Sequence, residues 1–137
     1  MCGIAGYFHA IDPDRLEVAC DAMEHRGQDD GGLYIDPDAN VGLGHRRLSI
    51  LDLSSAGHQP MFSADGAVVL VFNGEIYNFR ELRTDLERQG VAFRGHSDTE
   101  VLLDLYLVEG EAMLSRLNGI FSFALWDHSR QSLLLAR

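Results

Sequence analysis

The sequence has few of the features that mark secreted or membrane proteins. It contains two cysteines, Cys2 and Cys20, in 137 residues, and a secreted disulfide scaffold of that length would need more. Residues 1–11 carry no basic segment, so we expect no secretory signal peptide. No run approaches the roughly 18 apolar residues that span a membrane. These absences favour a protein of the reducing cytoplasm with no membrane partner.

Basic residues are also scarce. Lys and Arg total 11 against 21 Asp and Glu, which gives a formal net charge of −10 and argues against nucleic acid as the main partner. The six histidines show no paired metal spacing, so no metal site is predicted. No Gly-rich phosphate loop is present. The hydrophobic share of 46 % is enough for one domain with a real core.

The order of strand and helix signals favours an α+β fold. Residues 2–8 predict a strand buried on both faces, and an N-cap signal at Asp12-Pro13 begins a helix with Cys20 on its core face. The polar, Gly-rich segment 25–32 predicts a loop. Further strands are predicted at 33–35, 41–45, 67–72, 120–126 and 132–136, and helices capped by Asn78 and Ser97. Because strands and helices come in runs, we expect largely antiparallel sheets covered by helices.

Three polar clusters lie beside apolar elements, at 44–48, 73–75 and 97–100. Each has an ordinary structural reading: a solvated strand edge, a turn at Asn73-Gly74 that stops the preceding strand, and a helix N-terminus. Together they supply groups for an amide substrate that is also an amino acid zwitterion. An arginine can hold a carboxylate, an aspartate can hold an ammonium, and an Asn side chain with a Gly N–H can face an oxyanion.

Cys2 directly follows the initiator methionine and opens an apolar, Gly-containing run. Removal of Met1 would leave one residue with both a thiol and a free α-amino group, the arrangement of a nucleophile paired with an N-terminal amine. The alternative is that Cys2 is a small apolar residue at the start of a strand. Its position alone favours the strand reading, and the polar clusters favour the nucleophile.

Several motifs follow one another along the whole chain. They are Met-Cys-Gly-Ile-Ala-Gly at 1–6, His-Arg-Gly-Gln-Asp-Asp-Gly at 25–31, Gly-His-Arg-Arg-Leu-Ser-Ile at 44–50, Gln-Pro-Met at 59–61, Asn-Gly-Glu-Ile-Tyr-Asn at 73–78 and Ser-Asp-Thr-Glu at 97–100. In this order they resemble the glutaminase domain of class II glutamine amidotransferases, which are N-terminal nucleophile (Ntn) hydrolases. Arg-Leu-Ser-Ile and Asn-Gly-Glu-Ile-Tyr-Asn-Phe are similar to the asparagine synthetase branch. The resemblance implies a four-layer αββα sandwich with two antiparallel sheets.

The resemblance also implies a role for each site residue. The catalytic residues would be Cys2 as the nucleophile and Asn73 and Gly74 as the oxyanion hole; the substrate-binding residues would be Arg47 at the α-carboxylate of glutamine, Leu48, Ser49, Ile50 and Leu51 along the pocket, and Glu75 and Asp98 at the α-ammonium group.

The function implied is hydrolysis of glutamine to glutamate and ammonia, with the ammonia used for ATP-dependent amidation of aspartate in a parent protein. Residues 1–137 would all belong to the glutaminase domain, with its last strands beyond Arg137. ATP and Mg²⁺ would serve a separate synthetase domain, and the glutaminase domain itself would need no cofactor. The implied partners are glutamine, the synthetase domain and, since the family often dimerises, a second copy. The open alternatives are a sugar or other carboxylate as acceptor, or a truncated non-catalytic fragment.

Overall fold

The computed structural model describes residues 2–9, 12–48 and 57–137. Its elements are, in order, β1 (Gly3–Phe8), α1 (Pro13–Ala22), a 3-10 helix (Glu24–Arg26), β2 (Asp30–Asp36), β3 (Val41–Arg47), β4 (Met61–Phe62), β5 (Val68–Ile76), α2 (Phe79–Arg88), α3 (Asp98–Glu109), a second 3-10 helix (Gly110–Arg116), β6 (Gly119–Asp127) and β7 (Ser132–Ala136). None of the helices in these ranges is both long and apolar enough to cross a membrane.

The strands form two antiparallel sheets. The first sheet has the order β1-β3-β2, and the second sheet has the order β4-β5-β6-β7. Val41 and Leu43 of β3 share a core cluster with Val69 and Val71 of β5 and with Trp126 of β6. The two sheets therefore face each other across an apolar layer.

Helices cover the outer face of each sheet. On the second sheet, Leu70 and Phe72 of β5 pack in one cluster with Leu86 of α2 and Leu102 of α3. On the first sheet, α1 buries Leu16 and Cys20 toward β3. The layers are thus α1, the first sheet, the second sheet, and α2 with α3. This confirms the predicted α+β class and the αββα sandwich with two antiparallel sheets.

Two glycines bring α1 close to β3. Gly42 and Gly44 alternate with the inward-facing Val41 and Leu43, so they lie on the face that α1 covers. A Cβ at Gly44 would overlap the Cys20 Sγ. The helix therefore packs directly on the backbone of the strand.

Two predictions for the first sheet are wrong. β1 is not buried on both faces: Phe8 is 42 % exposed, because β1 is the edge strand of the first sheet and, among the described strands, pairs with β3 alone. The predicted loop at 25–32 is also too long. Glu24–Arg26 form a 3-10 helix, and β2 begins at Asp30, because pairing with Arg47 of β3 recruits this polar, Gly-rich stretch into the sheet.

The prediction that the central strand stops at Asn73-Gly74 is wrong as well. β5 continues to Ile76, and Gly74 pairs with Phe121 of β6. Asn-Gly is a turn signal when only its neighbours in sequence are considered. Here β6 supplies a pairing partner along the whole segment, and this tertiary pairing overrides the local preference.

The two predicted helix caps differ. Ser97 caps α3 as predicted, because the Glu100 N–H donates to Ser97 Oγ at 3.2 Å. Asn78 makes no side-chain cap for α2. Its Nδ2 donates to the Arg116 carbonyl oxygen at 2.9 Å, and its Oδ1 accepts from the Asn118 N–H at 3.0 Å. Asn78 thus ties the start of α2 to the segment before β6.

Gly44→Ala is expected to lower the free energy of unfolding by about 1–3 kcal/mol, because the added methyl group would overlap the Cys20 Sγ. Cys20→Ala removes that sulfur, so the same substitution should cost less in a Cys20→Ala background. Urea unfolding of the parent, both single variants and the double variant measures the difference. Strictly additive costs would contradict the direct packing of α1 on β3.

Candidate active site

The inward row of β3 changes from apolar to polar near the end of the strand. Val41 and Leu43 lie in the core between the sheets, and His45 and Arg47 follow on the same face. Both polar side chains are buried. His45 Nε2 lies 3.1 Å from the Phe72 carbonyl oxygen of β5, so this face is directed at the second sheet.

The row of β5 side chains that faces the first sheet also changes from apolar to polar, at the same end of the sandwich. Val69 and Val71 face the first sheet, and Asn73 and Glu75 continue their row. Asn73 is half-buried and Glu75 is exposed. Two polar rows therefore meet where the apolar core ends, and a cavity lies between them.

The cavity has a volume of about 400 Å³, within the range of small-molecule sites. It contains every predicted site residue that the structure describes, namely Cys2, Arg47, Leu48, Asn73, Gly74, Glu75 and Asp98. The predicted residues Ser49, Ile50 and Leu51 lie outside the described residues.

Other residues complete the cavity wall without a role predicted from the sequence: Gly57, Gln59, Phe72, Tyr77 and Ile120. Two of them had a signal in the sequence: Gln59 belongs to the Gln-Pro-Met motif, and Tyr77 belongs to the Asn-Gly-Glu-Ile-Tyr-Asn motif. Ile120 lies opposite Glu75 in the pairing of β6 with β5, and such a neighbour cannot be inferred from spacing along the chain.

Cys2 directly precedes β1, and the register of the first sheet puts it beside Arg47. The Leu48 N–H donates to Cys2 Sγ at 3.4 Å. Arg26 Nε donates to the Cys2 carbonyl oxygen at 3.2 Å. These contacts hold both the thiol and the main chain of Cys2 at the cavity wall.

Cys20 is in a different environment. It lies on α1, is 4 % exposed, and does not line the cavity. Burial raises the pKa of the Cys20 thiol, which the nearby Arg46 charge only partly offsets. Cys20 is therefore a small apolar residue of the core, as the sequence predicts.

Arg47 is held by an acidic partner at the end of β3. Its Nη1 lies 3.9 Å from Asp30 Oδ2, and its guanidinium packs against Gly57. His58 Nδ1 lies 2.7 Å from the same carboxylate oxygen. Burial raises the pKa of Asp30, but the hydrogen bonds from His58 and the Gly31 N–H, together with nearby positive charge, outweigh burial and keep that pKa below its ordinary value. An ionised Asp30 thus stays beside Arg47.

Beyond the short pairing of β5 with β4, no strand among the described residues pairs with this edge of β5. Successive residues of an antiparallel strand present their N–H groups to opposite edges, so Phe72, Gly74 and Ile76 share this edge. The Phe72 N–H donates to Gln59 Oε1 at 2.6 Å, and the Ile76 N–H donates to Asp98 Oδ2 at 3.0 Å. The Gly74 N–H lies between these two groups, at the cavity.

The backbone at Gly74 requires glycine. Its φ is +150°, and a Cβ there would overlap the Ile120 carbonyl oxygen and the Phe121 Cα. β6 therefore approaches β5 closely at this point. The Asn73 side chain and the Gly74 N–H are both present at the cavity wall as candidate hydrogen-bond donors.

Asp98 is a buried carboxylate at the first position of α3. Burial raises its pKa above the ordinary value, the Ile76 and Thr99 N–H groups lower it, and the negative charge of Glu75 raises it again. A cation bound between Glu75 and Asp98 would relieve this repulsion.

The arrangement joins four kinds of group in one cavity: a thiol, two hydrogen-bond donors on β5, a guanidinium from the first sheet, and a carboxylate pair from β5 and α3. Such a site can bind a zwitterion by both charges and present an amide to the thiol. Within the described part of the chain, no group of three or more His, Cys, Asp or Glu side chains could hold a metal ion.

Comparison with known proteins agrees with this chemistry. The family described as "Glutamine amidotransferase domain" matches residues 1–137. Asparagine synthetase B [glutamine-hydrolyzing] of Escherichia coli is 40% identical over 100% of this chain and 25% of its own length. Amidase chry2 of Gibberella zeae is 38% identical over 100% of this chain and 22% of its own length. The chain thus spans about a quarter or less of these two relatives.

A solved structure supports the fold. The glutamine phosphoribosylpyrophosphate amidotransferase of Bacillus subtilis matches 99% of this chain and 37% of its own chain, with a TM-score of 0.81. Its sequence identity is 22%, so this likeness concerns the fold alone.

Iodoacetamide is expected to alkylate Cys2 at least about tenfold faster than Cys20, because thiolates react and burial both shields Cys20 and raises its pKa. Mass spectrometry of the two cysteine-containing peptides at successive times gives both rates. In a urea-unfolded control the two rates should converge. Equal rates in the folded chain would contradict the different environments of the two thiols.

Proposed function

Because the chain belongs to the glutamine amidotransferase domain family, we propose that its cavity hydrolyses the side-chain amide of glutamine to glutamate and ammonia. One observation carries the proposal: a single cavity holds the Cys2 thiol, the Arg47 guanidinium and the Asp98 carboxylate. The first group can attack an amide, and the other two can bind the α-carboxylate and α-ammonium groups of an amino acid.

The proposed reaction starts at an N-terminal Cys2, after removal of Met1. Its α-amino group takes the thiol proton, directly or through one water. The sulfur attacks the amide carbon of glutamine, and the resulting oxyanion accepts hydrogen bonds from the Asn73 side chain and the Gly74 N–H. The C–N bond then breaks, and ammonia leaves with a proton returned by the α-ammonium group. Water hydrolyses the thioester, which releases glutamate and restores the thiol.

The substrate would span the two sheets. Arg47 from the first sheet would hold its α-carboxylate, with the backbone of 48–51 along the pocket. Glu75 and Asp98, from β5 and α3, would hold its α-ammonium group. Asp98 is already fixed by the Ile76 N–H, so its position is set before the substrate binds. This preorganisation favours binding because the carboxylate loses little freedom.

The ammonia acceptor would belong to a parent protein. We favour aspartate, amidated by a synthetase domain that uses ATP and Mg²⁺, because relatives named asparagine synthetase match the whole chain. In that arrangement residues 1–137 are part of the glutaminase domain, which needs no cofactor of its own, and the partners are glutamine, the synthetase domain and a second copy of the protein. A reducing cytoplasm fits the proposal, since both cysteines are free thiols.

The relatives named as amidases favour a second candidate. Amidase chry2 and amidase chyE are 38% and 44% identical to this chain, values close to those of the asparagine synthetases. The same glutaminase chemistry could therefore serve a different acceptor, such as a sugar or another carboxylate.

Cys2→Ala is expected to reduce glutamate release from glutamine to background, because it removes the attacking sulfur. Cys20→Ala is the matched control and should retain activity, since Cys20 lies outside the cavity. An enzymatic assay of glutamate and an N-terminal mass measurement are made on the same samples. If protein with Met1 removed released no more glutamate than Cys2→Ala, the proposed reaction would be wrong for this chain.

Asp98→Asn is expected to raise the KM for glutamine by roughly 10- to 100-fold, the effect of losing a charged hydrogen bond of about 1.5–3 kcal/mol. Because the pKa of Asp98 is raised, acidification should protonate it at a higher pH than an ordinary aspartate. The KM of the parent should therefore rise as pH falls, and this acid-side rise should be absent in Asp98→Asn.

Glu75→Gln provides the comparison for this pair. Glu75 is exposed, so solvent screens its charge and the KM should increase less than in Asp98→Asn. Steady-state kinetics across a pH series measures all three proteins. An unchanged KM in Asp98→Asn would rule out this carboxylate as the ammonium site.

A further inference from the structure

Both backbone polar groups of Phe72 are bound by side chains rather than by a strand. The Phe72 N–H donates to Gln59 Oε1 at 2.6 Å, and the Phe72 carbonyl oxygen accepts from His45 Nε2 at 3.1 Å. β4 ends before it reaches this part of β5. Within residues 12–48 and 57–137, the side chains of Gln59 and His45 therefore bind the main-chain groups that a neighbouring strand would otherwise bind, at the residue that precedes Asn73-Gly74.

His45 is suited to this contact because it stays uncharged. It is fully buried, and burial lowers its pKa to about 4, against the opposing effect of its hydrogen bond with Phe72. Since the Phe72 carbonyl can only accept, Nε2 carries the hydrogen and Nδ1 does not. Among the residues that the structure describes, Nδ1 has no hydrogen-bond partner. The imidazole thus acts at neutral pH as a fixed neutral donor.

Gln59 holds the other group of the same residue. It is 5 % exposed, and its contact with the Phe72 N–H is short. If this acceptor were lost, a buried N–H would have no partner, which is costly. This hydrogen bond therefore stabilises the present orientation of the Phe72 backbone. The next N–H along this edge is that of Gly74, and the one after it, at Ile76, is held by Asp98.

We propose that His45 and Gln59 are positioning residues that hold the Gly74 N–H toward the cavity by fixing the backbone of Phe72. The inference rests on the proposed function, in which this N–H stabilises the oxyanion. A donor contributes fully only when it is aimed at the position that the oxyanion will occupy. Glycine resists rotation less than other residues, so the flanking contacts must supply the rigidity at Gly74.

Gln59→Met tests the proposal, because it keeps the length of the side chain and removes the acceptor. Gln59→Glu is the matched rescue, since a carboxyl oxygen accepts in either protonation state. We expect Gln59→Met to lower kcat by about 10- to 100-fold, less than the 10²- to 10³-fold loss when an oxyanion donor is removed outright. The KM for glutamine should stay within about twofold, because Arg47 and Asp98 are unaffected. Gln59→Glu should recover most of the lost kcat.

His45→Phe and His45→Gln repeat the comparison from the other side of Phe72. The first keeps a ring without a donor, and the second keeps an N–H donor. Alkylation of Cys2 by iodoacetamide should proceed at the parent rate in every variant, because Cys2 is held by Leu48 and Arg26. A drop in kcat together with convergence of the Cys2 and Cys20 alkylation rates would indicate general unfolding and overturn the positioning role.

The amide resonance of Gly74 gives a readout that does not depend on activity. In a ¹⁵N-labelled chain it should shift in Gln59→Met and His45→Phe and return toward the parent position in the two rescue variants. The inference would be refuted if the Gly74 resonance did not move. It would also be refuted if the parent were active and both Gln59→Met and His45→Phe retained its kcat. If the resonance shifts in these variants as expected but the parent chain never hydrolyses glutamine, the proposed function alone is refuted.

Discussion

Every buried backbone N–H and carbonyl group needs a hydrogen-bond partner, and no strand in the described part of the chain provides one along the β5 edge beyond β4. Side chains from a loop, from the first sheet and from α3 satisfy that edge at Phe72 and Ile76. The position between them, Gly74, is left facing the cavity. The candidate active site therefore lies at an edge of β5 that no described strand covers, and its candidate main-chain donor belongs to the sheet itself.

The charges of the cavity are divided between the layers of the sandwich. The first sheet contributes the Arg47 guanidinium, and the opposite side contributes the Glu75 and Asp98 carboxylates. A zwitterionic ligand that contacts both sides would connect the two sheets at the end where their apolar core stops. Such binding would also add stability to the sandwich, because a ligand that binds only the folded state shifts the folding equilibrium toward it.

Local sequence signals predict those features that depend on residues close together in the chain. The Ser97 cap of α3 is an example, because its hydroxyl binds the N–H of Glu100, three residues later. The extension of β5 through Asn73-Gly74 was not predictable, because it depends on pairing with a distant strand. The grouping of the site residues was expected from the three polar clusters and from the resemblance to class II glutamine amidotransferases, and the cavity contains those that the structure describes. The roles of Gln59 and Ile120 depend on which backbone lies beside them, and that information comes only from the tertiary structure.

β3 uses its two faces for different purposes. Gly42 and Gly44 receive α1, while His45 and Arg47 extend toward the second sheet. Since strand faces alternate with a period of two, a single-residue insertion or deletion in β3 would exchange them. Bulky polar groups would then meet the helix, and bare backbone would line the cavity. A change in the length of β3 would therefore disturb the packing of α1 and the lining of the cavity at the same time.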